Sequence, residues 1–413
     1  MKRLVCMAAL GISAAFISCA GPEPVGLDAA VAASPSKQVV VSPSEATLGV
    51  GQTQQFSAQF FQDGKQKKAA FTWSSSAPAV ATVSSSGLVT AVGGGQAIIT
   101  ARASSMASGT AQVTVPQAPP TPPAVVATIP LGGSPFGSTV SSSGTGWIGQ
   151  LNAGTATRLD IASATFTGSA STGGGLPVQL YSSAAGTKIY AANFGGTVAS
   201  INTATFAIEN TVQVGGDAYG ITATPAGDTV FVGITNGPIY KIDLAHQTIL
   251  NTLSLPVAAG YHFEWNKNRT RLYASQRAFD GGRVFEIDPN TLTLLRTFET
   301  GGSAQGIQLS ADDSKLFVAA QDGGIIVWDV ATNSLITTYA TPGCSGYGLL
   351  RTPNDAFLVV GCVFEGLVEV LDPNTGALVA TLNVGGRPRE LSFDLGTHSV
   401  LVPNEAGWVD ILR

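Results

Sequence analysis

The chain has 413 residues, of which only 11% are charged while 44% are hydrophobic and 49 are glycine. At ~100–200 residues per domain this leaves room for two or three domains with buried cores and excludes a disordered chain. The 21 basic and 26 acidic residues give a net charge of −5, or −7 once Lys2 and Arg3 are set aside, and no basic patch dominates, so nucleic acid is not expected as a partner.

Met1-Lys2-Arg3, the apolar run 4–17 and the small residues Ser18, Cys19 and Ala20 read as a secretory signal. The run is ~14 residues, short of the ~20 that a spanning helix needs, and no later stretch comes closer without Gly, Pro or polar breaks. Phe16-Ile17-Ser18-Cys19 resembles the lipobox of bacterial lipoproteins, with Phe16 where that family usually has Leu. The resemblance implies a signal peptide at 1–18 and lipidation of Cys19 as the mature N-terminus. Membrane contact is then expected only through that lipid. Ala20 is not the aspartate associated with inner-membrane retention, so an outer-membrane or surface anchor is expected. Ordinary cleavage after Ala20, giving a secreted or periplasmic soluble protein, is the alternative. With Cys6 in the leader and Cys19 lipidated, Cys344 and Cys362 remain, and two thiols in an oxidising compartment suggest one disulfide. It would close a loop of about 17 residues, worth ~3 kcal/mol. No CxxC, HExxH or paired Cys/His spacing accompanies them, and no metal is expected.

Residues 19–36 have neither helical nor strand period and read as a flexible tether. From 37 to 115, seven short β-branched and aromatic runs (39–41, 54–60, 71–73, 80–83, 88–92, 98–101 and 112–115) predict a β-sandwich. Gly49-Val50-Gly51-Gln52, Trp73-Ser74-Ser75-Ser76, Val80-Ala81-Thr82-Val83, Ser86-Gly87-Leu88-Val89-Thr90-Ala91 and Ala97-Ile98-Ile99-Thr100-Ala101 resemble the bacterial immunoglobulin-like group-2 family. Trp73 is expected to plug the core, Gly87 to make a tight turn, and Val80 and Val83 to join the inter-sheet layer. The resemblance implies a spacer or adhesion unit. Lys65, Lys67 and Lys68 share one hairpin, either as a solvated turn or as a small cationic contact for anionic polymer. Five prolines in 116–123 favour polyproline II, marking 116–124 as a semi-rigid linker of ~25 Å.

From 125 to 413 a repeat fills the chain. Ile148, Tyr190, Phe231, Tyr273, Phe317, Leu358 and Leu401 recur at spacings of 41–44 residues, and Asp160, Asn202, Asp243, Asp288, Asp329, Asp372 and Asp410 follow the same rhythm. Four strands per ~42 residues is the unit of a propeller blade, so seven blades are expected and the fold class is all-β, an Ig-like sandwich plus a seven-bladed β-propeller. Lys188-Ile189-Tyr190-Ala191-Ala192-Asn193, Val284-Phe285-Glu286-Ile287-Asp288-Pro289-Asn290-Thr291 and Ala380-Thr381-Leu382-Asn383-Val384-Gly385-Gly386 resemble the YVTN-type propeller repeat; Gly146-Trp147-Ile148-Gly149 is a degenerate copy. Segment 125–131 matches an outermost strand, whereas the chain ends on a third strand. The first strand is therefore expected to complete the last blade.

The repeated Asp series reads as a turn device. Departures from the repeat say more. The residues preceding the apolar anchors of the innermost strands are Gln179, Gly220, His262, Gly306, Gly348 and Glu390, so His262 and Glu390 are polar exceptions beside the axis. With Glu264, Arg387 and Arg389 they form a candidate channel-mouth cluster for an anionic or sugar-like ligand, or pair with one another across a wet channel. The longest loop carries Arg277, Phe279 and Arg283, and with Tyr219, Tyr261, Tyr347 and Phe364 it makes a candidate recognition face, on which some aromatics would instead cap the blade cores. No catalytic set, phosphate loop, GxSxG elbow or CxxCH is found, and no cofactor is expected. The reading is a monomeric, non-enzymatic envelope protein whose propeller loop face binds a polymer or protein. A lactonase-like or quinoprotein-like propeller enzyme, acting on a small anionic or sugar-derived substrate, is the alternative.

Overall fold

The computed structural model describes residues 36–104, 107–116, 121–227, 229–256, 260–276, 281–353 and 356–413. The leader with Cys19, the tether up to Pro35, residues 117–120 of the Pro-rich linker, Arg277 and Phe279 lie outside the described residues. Among the described residues the named elements are all strands, and the chain divides between Pro119 and Pro120 into two compact units.

The first unit alternates inward and outward residues, as strands with one wet face must. Val39 and Val41 are buried while Val40 is 41% exposed, and Ala97 and Ile99 are buried while Ile98 is 41% exposed. Strand Gly95–Ala103 pairs with Phe71–Ser75 on one side and Ser108–Val115 on the other, and Glu45–Thr47 adds in parallel to the latter. The expected run 54–60 is two strands. Thr53–Gln55 pairs with Leu88–Ala91, and Ser57–Gln62 pairs with Lys37–Ser42, the chain changing partner at fully buried Phe56. Phe56, not half-buried Trp73, is therefore the innermost aromatic, with Trp73 packed against the same core. Gly87 has φ +85°, and a Cβ there would meet the Phe56 carbonyl oxygen at 2.5 Å and the Trp73 ring at 2.9 Å. Lys65–Lys67 forms the exposed return strand of a hairpin.

Residues 125–412 fold into seven four-stranded antiparallel sheets, the blades of a propeller. Blades 1 to 6 span residues 135–171, 176–213, 218–253, 263–298, 304–339 and 346–383 in chain order. Each repeat marker from Ile148 to Leu401 lies in its blade's second strand and is almost fully buried. These strands are apolar on both faces because both faces pack on neighbouring blades: in Lys315–Ala320 every residue after the lysine is buried. Outermost strands such as Thr248–Leu253 are exposed along most of their length.

Blade 7 is built from both ends of the propeller. Ser392–Asp394, Ser399–Asn404 and Trp408–Leu412 supply three strands, and Val125–Pro130 pairs antiparallel with Trp408–Leu412 as the fourth. Side chains reinforce the join. Thr128 Oγ1 donates to Asp410 Oδ1 at 2.5 Å, and Trp408 Nε1 donates to Asp410 Oδ2 at 2.9 Å. The other six members of the Asp/Asn series accept backbone N–H groups two or three residues on, as in Asp160 with Ala162 and Ser163 and Asp288 with Asn290 and Thr291. Asp410 departs from that role because its strand carries the closure. Asp410→Ala leaves two donors at the join unpaired, so it is expected to lower stability by about 1–3 kcal/mol in urea unfolding. Deletion of 125–131 is expected to abolish the cooperative transition.

Candidate functional site

The innermost strands converge so closely that most blades place glycine at the tightest point. At Gly137, Gly220, Gly306 and Gly348, an added Cβ would stand 2.2–2.6 Å from the backbone of an adjacent blade. Gln179, His262 and Glu390 occupy the corresponding positions of blades 2, 4 and 7. In blades 4 and 7 the innermost strand is shortened to Phe263–Trp265 and Ser392–Asp394, beginning just after these side chains.

The three meet across the axis. His262 Nε2 lies 2.5 Å from Glu390 Oε1, which also accepts from Gln179 Nε2 at 3.2 Å. Gln179 Nε2 donates as well to the Tyr261 carbonyl at 2.8 Å, while its Oε1 accepts the Ile221 N–H at 3.3 Å. The other ring nitrogen of His262, Nδ1, is buried and has no hydrogen-bond partner. This bridge borders an axial cavity of about 190 Å³, whose walls include Ser138, Thr139, Tyr181, Gln308 and Ser392.

Toward the loop face the bridge is covered by aromatics. Phe136 meets Tyr219 and Tyr347 edge-on, the Tyr219 and Tyr347 hydroxyls hydrogen-bond each other, and Tyr261 lies with its ring centre 4.7 Å from that of Tyr219. The Arg389 guanidinium contacts both Phe136 and Tyr347, with its carbon 4.6 and 4.8 Å from the ring centres, and binds Glu405. Arg387 approaches the same carboxylate at 3.9 Å. Burial pushes the Tyr219 and Tyr347 hydroxyls well above the ordinary phenol range.

The expected cluster thus resolves into three groups. His262 and Glu390 are in direct contact, Arg387 and Arg389 are joined to Glu405, and Glu264 lies further along its strand, accepting from Gln308 Nε2 at 3.4 Å. Burial pushes the Glu264 carboxyl up to about 7, against the opposing pull of the Leu309 backbone, Arg351 and Arg269. Tyr261 joins the aromatic cover, whereas Arg283 is held apart by Glu299 at 2.8 Å and Gln276 at 3.2 Å. Of the recognition aromatics, Tyr347 is buried, Tyr219 and Tyr261 are half-buried, and Phe364 is 61% exposed. Cys344, in the loop before the innermost strand of blade 6, and Cys362, the last residue of strand Leu358–Cys362, form a disulfide. The one grouping of potential metal donors among the described residues is this pair with Glu369, and its sulfurs are bonded to each other.

Sequence reasoning left Gln179, Phe136, Glu405 and Glu369 out of the site. Gln179 stood in the same aligned column as His262 and Glu390, and Glu369 broke an otherwise apolar strand; both signals were readable. Phe136 lies in the degenerate first repeat, and Glu405 sits in a turn with no marker.

Residues 35–115 match the family described as bacterial Ig-like domain (group 2). No curated protein matches the chain in sequence. Among solved structures, the chain is similar to Kuenenia stuttgartiensis hydrazine synthase, with a TM-score of 0.61 and 16% identity over 68% of this chain and 96% of that one; the likeness is of fold.

The Glu264 carboxyl binds its proton more tightly folded, at about 7, than unfolded, near 4.5. Its contribution to stability is full below the unfolded value and is lost as pH rises toward the folded one. Relative to Glu264→Gln, the unmodified protein is expected to lose about 1–3 kcal/mol between those limits, measured by urea unfolding across pH.

Proposed function

We propose that this chain is an exported, lipid-anchored, monomeric envelope protein that binds a polymer or protein on the propeller's loop face, without catalysis. In this reading 1–18 is removed, Cys19 carries lipid at the outer membrane or surface, 19–36 is a tether, 37–115 a spacer, 116–124 a linker, and 125–413 a YVTN-type propeller. The disulfide and the Ig-like group-2 domain support export. The observation that carries recognition is the aromatic loop face: half-buried Tyr219 and Tyr261 lie together near the axis, with exposed Phe194 at the end of strand Lys188–Phe194 and exposed Phe364 in a turn of blade 6. Aromatic faces of this kind stack on sugar rings and peptide side chains.

The axial cavity favours a second reading, a propeller enzyme for a small substrate, because it places the His262–Glu390 pair beside a hollow. The cavity's size and its lining weigh against it. The cavity's volume of about 190 Å³ falls below the ~300 Å³ of ordinary small-molecule sites. Its walls include Glu390 but neither arginine, which suits an anionic substrate poorly.

Native-source protein is expected to bind purified cell-wall glycan or outer-membrane polysaccharide, or to capture an envelope protein. Tyr261→Ala with Phe364→Ala is expected to weaken that binding about tenfold while Glu390→Gln leaves it intact. Binding lost with Glu390→Gln and kept in the aromatic variant overturns the loop-face reading. Cys19→Ser is expected to release the protein from membranes, and the intact mass of the mature chain checks the acyl group.

A further inference from the structure

Strand Leu367–Leu371 runs through the middle of blade 6, and Glu369 at its centre is 1% exposed. Its register partner is Val360, two residues before Cys362 on the adjacent strand, so Glu369, Val360 and Cys362 share the face packed against blade 5. A Glu369 carboxyl oxygen and the sulfurs of Cys344 and Cys362 all lie within 4.8 Å of one another. Glu369 Oε2 is buried and has no hydrogen-bond partner. The titratable groups facing it are Glu365, just before its own strand, and Tyr339 of blade 5, whose hydroxyl donates to the Pro373 and Asn374 carbonyls. The rest of that face is apolar: Phe317, Ala319, Ile325 and Val327. Burial, with the charge of Glu365 adding to it, raises the Glu369 carboxyl above its ordinary value, so it holds a proton further toward neutrality.

A buried carboxyl oxygen without a hydrogen-bond partner costs about 1–3 kcal/mol, and a leucine or valine at this position would pack without that cost. Folding therefore gives no reason for an acid here, whereas its distance to both sulfurs gives a chemical one. We propose that Cys344, Cys362 and Glu369 form a redox-active site, in which a dithiol reversibly reduces the disulfide and Glu369 delivers the proton to the departing sulfur.

Cys344 lies in a loop beside exposed Gly343 and is 5% exposed, whereas Cys362 is fully buried, so attack falls on Cys344 Sγ. A thiolate of the dithiol, its proton already given to solvent, forms a bond to that sulfur as the disulfide bond breaks, and Cys362 Sγ leaves with the electron pair and takes the Glu369 proton. The second thiol of the reductant passes its proton to Glu369 as it attacks the mixed disulfide. Cys344 then departs and is protonated from solvent. Two electrons and two protons have moved from the dithiol, which ends as a disulfide. The loop stays in place meanwhile, because Ser345 donates its N–H and hydroxyl to Glu365, both at 2.8 Å. This chemistry stands independently of the loop-face reading, although Tyr347 and Phe364 lie three and two residues beyond the two cysteines.

The test follows reduction of the oxidised full chain by dithiothreitol, with thiols counted over time from about pH 4, below the ordinary carboxylate range, to about pH 8.5 and rates divided by the reductant's thiolate fraction. The normalised rate is expected to fall as rising pH deprotonates Glu369. Glu369→Gln is expected to be flat with pH and about tenfold slower at the acid end. A flat profile for the unmodified protein overturns the proposal, and so does a Glu369→Gln rate equal to it. If the variant fails to fold, the profile of the unmodified protein decides. A purely structural role for Glu369 would lower stability without shaping that profile.

Discussion

A sheet with apolar residues on both faces cannot stand alone in water, and that constraint organises the propeller. Strands such as Lys315–Ala320 and Leu358–Cys362 are buried on both sides, so each blade needs two neighbours, and a row of seven satisfies this only by closing. Closure is made covalently continuous by lending Val125–Pro130 to the last blade. The Thr128–Asp410 hydrogen bond lies at this join, where a repeat position used elsewhere for a turn is diverted to hold two distant parts of the chain.

Closing the ring also sets the conditions at its axis. The innermost strands approach until a Cβ has no room, and glycine relieves the crowding. Three blades keep side chains there, and those side chains are the ones that hydrogen-bond across the centre as Gln179, Glu390 and His262. The aromatic cover above them and the Arg389–Glu405 pair leave little free charge on that side. Charge near the axis is thus spent within the protein, while exposed aromatic surface gathers at the loops.

Blade 6 departs from this economy. A disulfide between residues 18 apart in sequence stiffens the loop before its innermost strand, and an unpartnered carboxyl oxygen of Glu369 is buried near the sulfurs. Both are set between apolar faces of blades 5 and 6, where low polarity raises the cost of an unpaired charge and favours a retained proton.

Much of this was legible in the residues themselves. Repeat spacing, strand patterning and the mismatch between first and last segments determined the blade number and the closure, because a strand's burial on one or two faces is written directly in its alternation. Cysteine arithmetic reached the disulfide for a similar reason, since only two thiols were left to pair. The division of Thr53–Gln62 between two sheets at Phe56 was not legible, since both halves have the same strand texture. Nor was the sorting of charges near the axis. His262, Glu264, Arg387, Arg389 and Glu390 were read as one channel-mouth cluster, but which of them touch depended on blade-to-blade distances of a few ångströms. Those distances come from packing around the whole ring, and tertiary structure alone decided that Glu390 meets His262, that the arginines turn to Glu405, and that Glu369 faces the sulfurs.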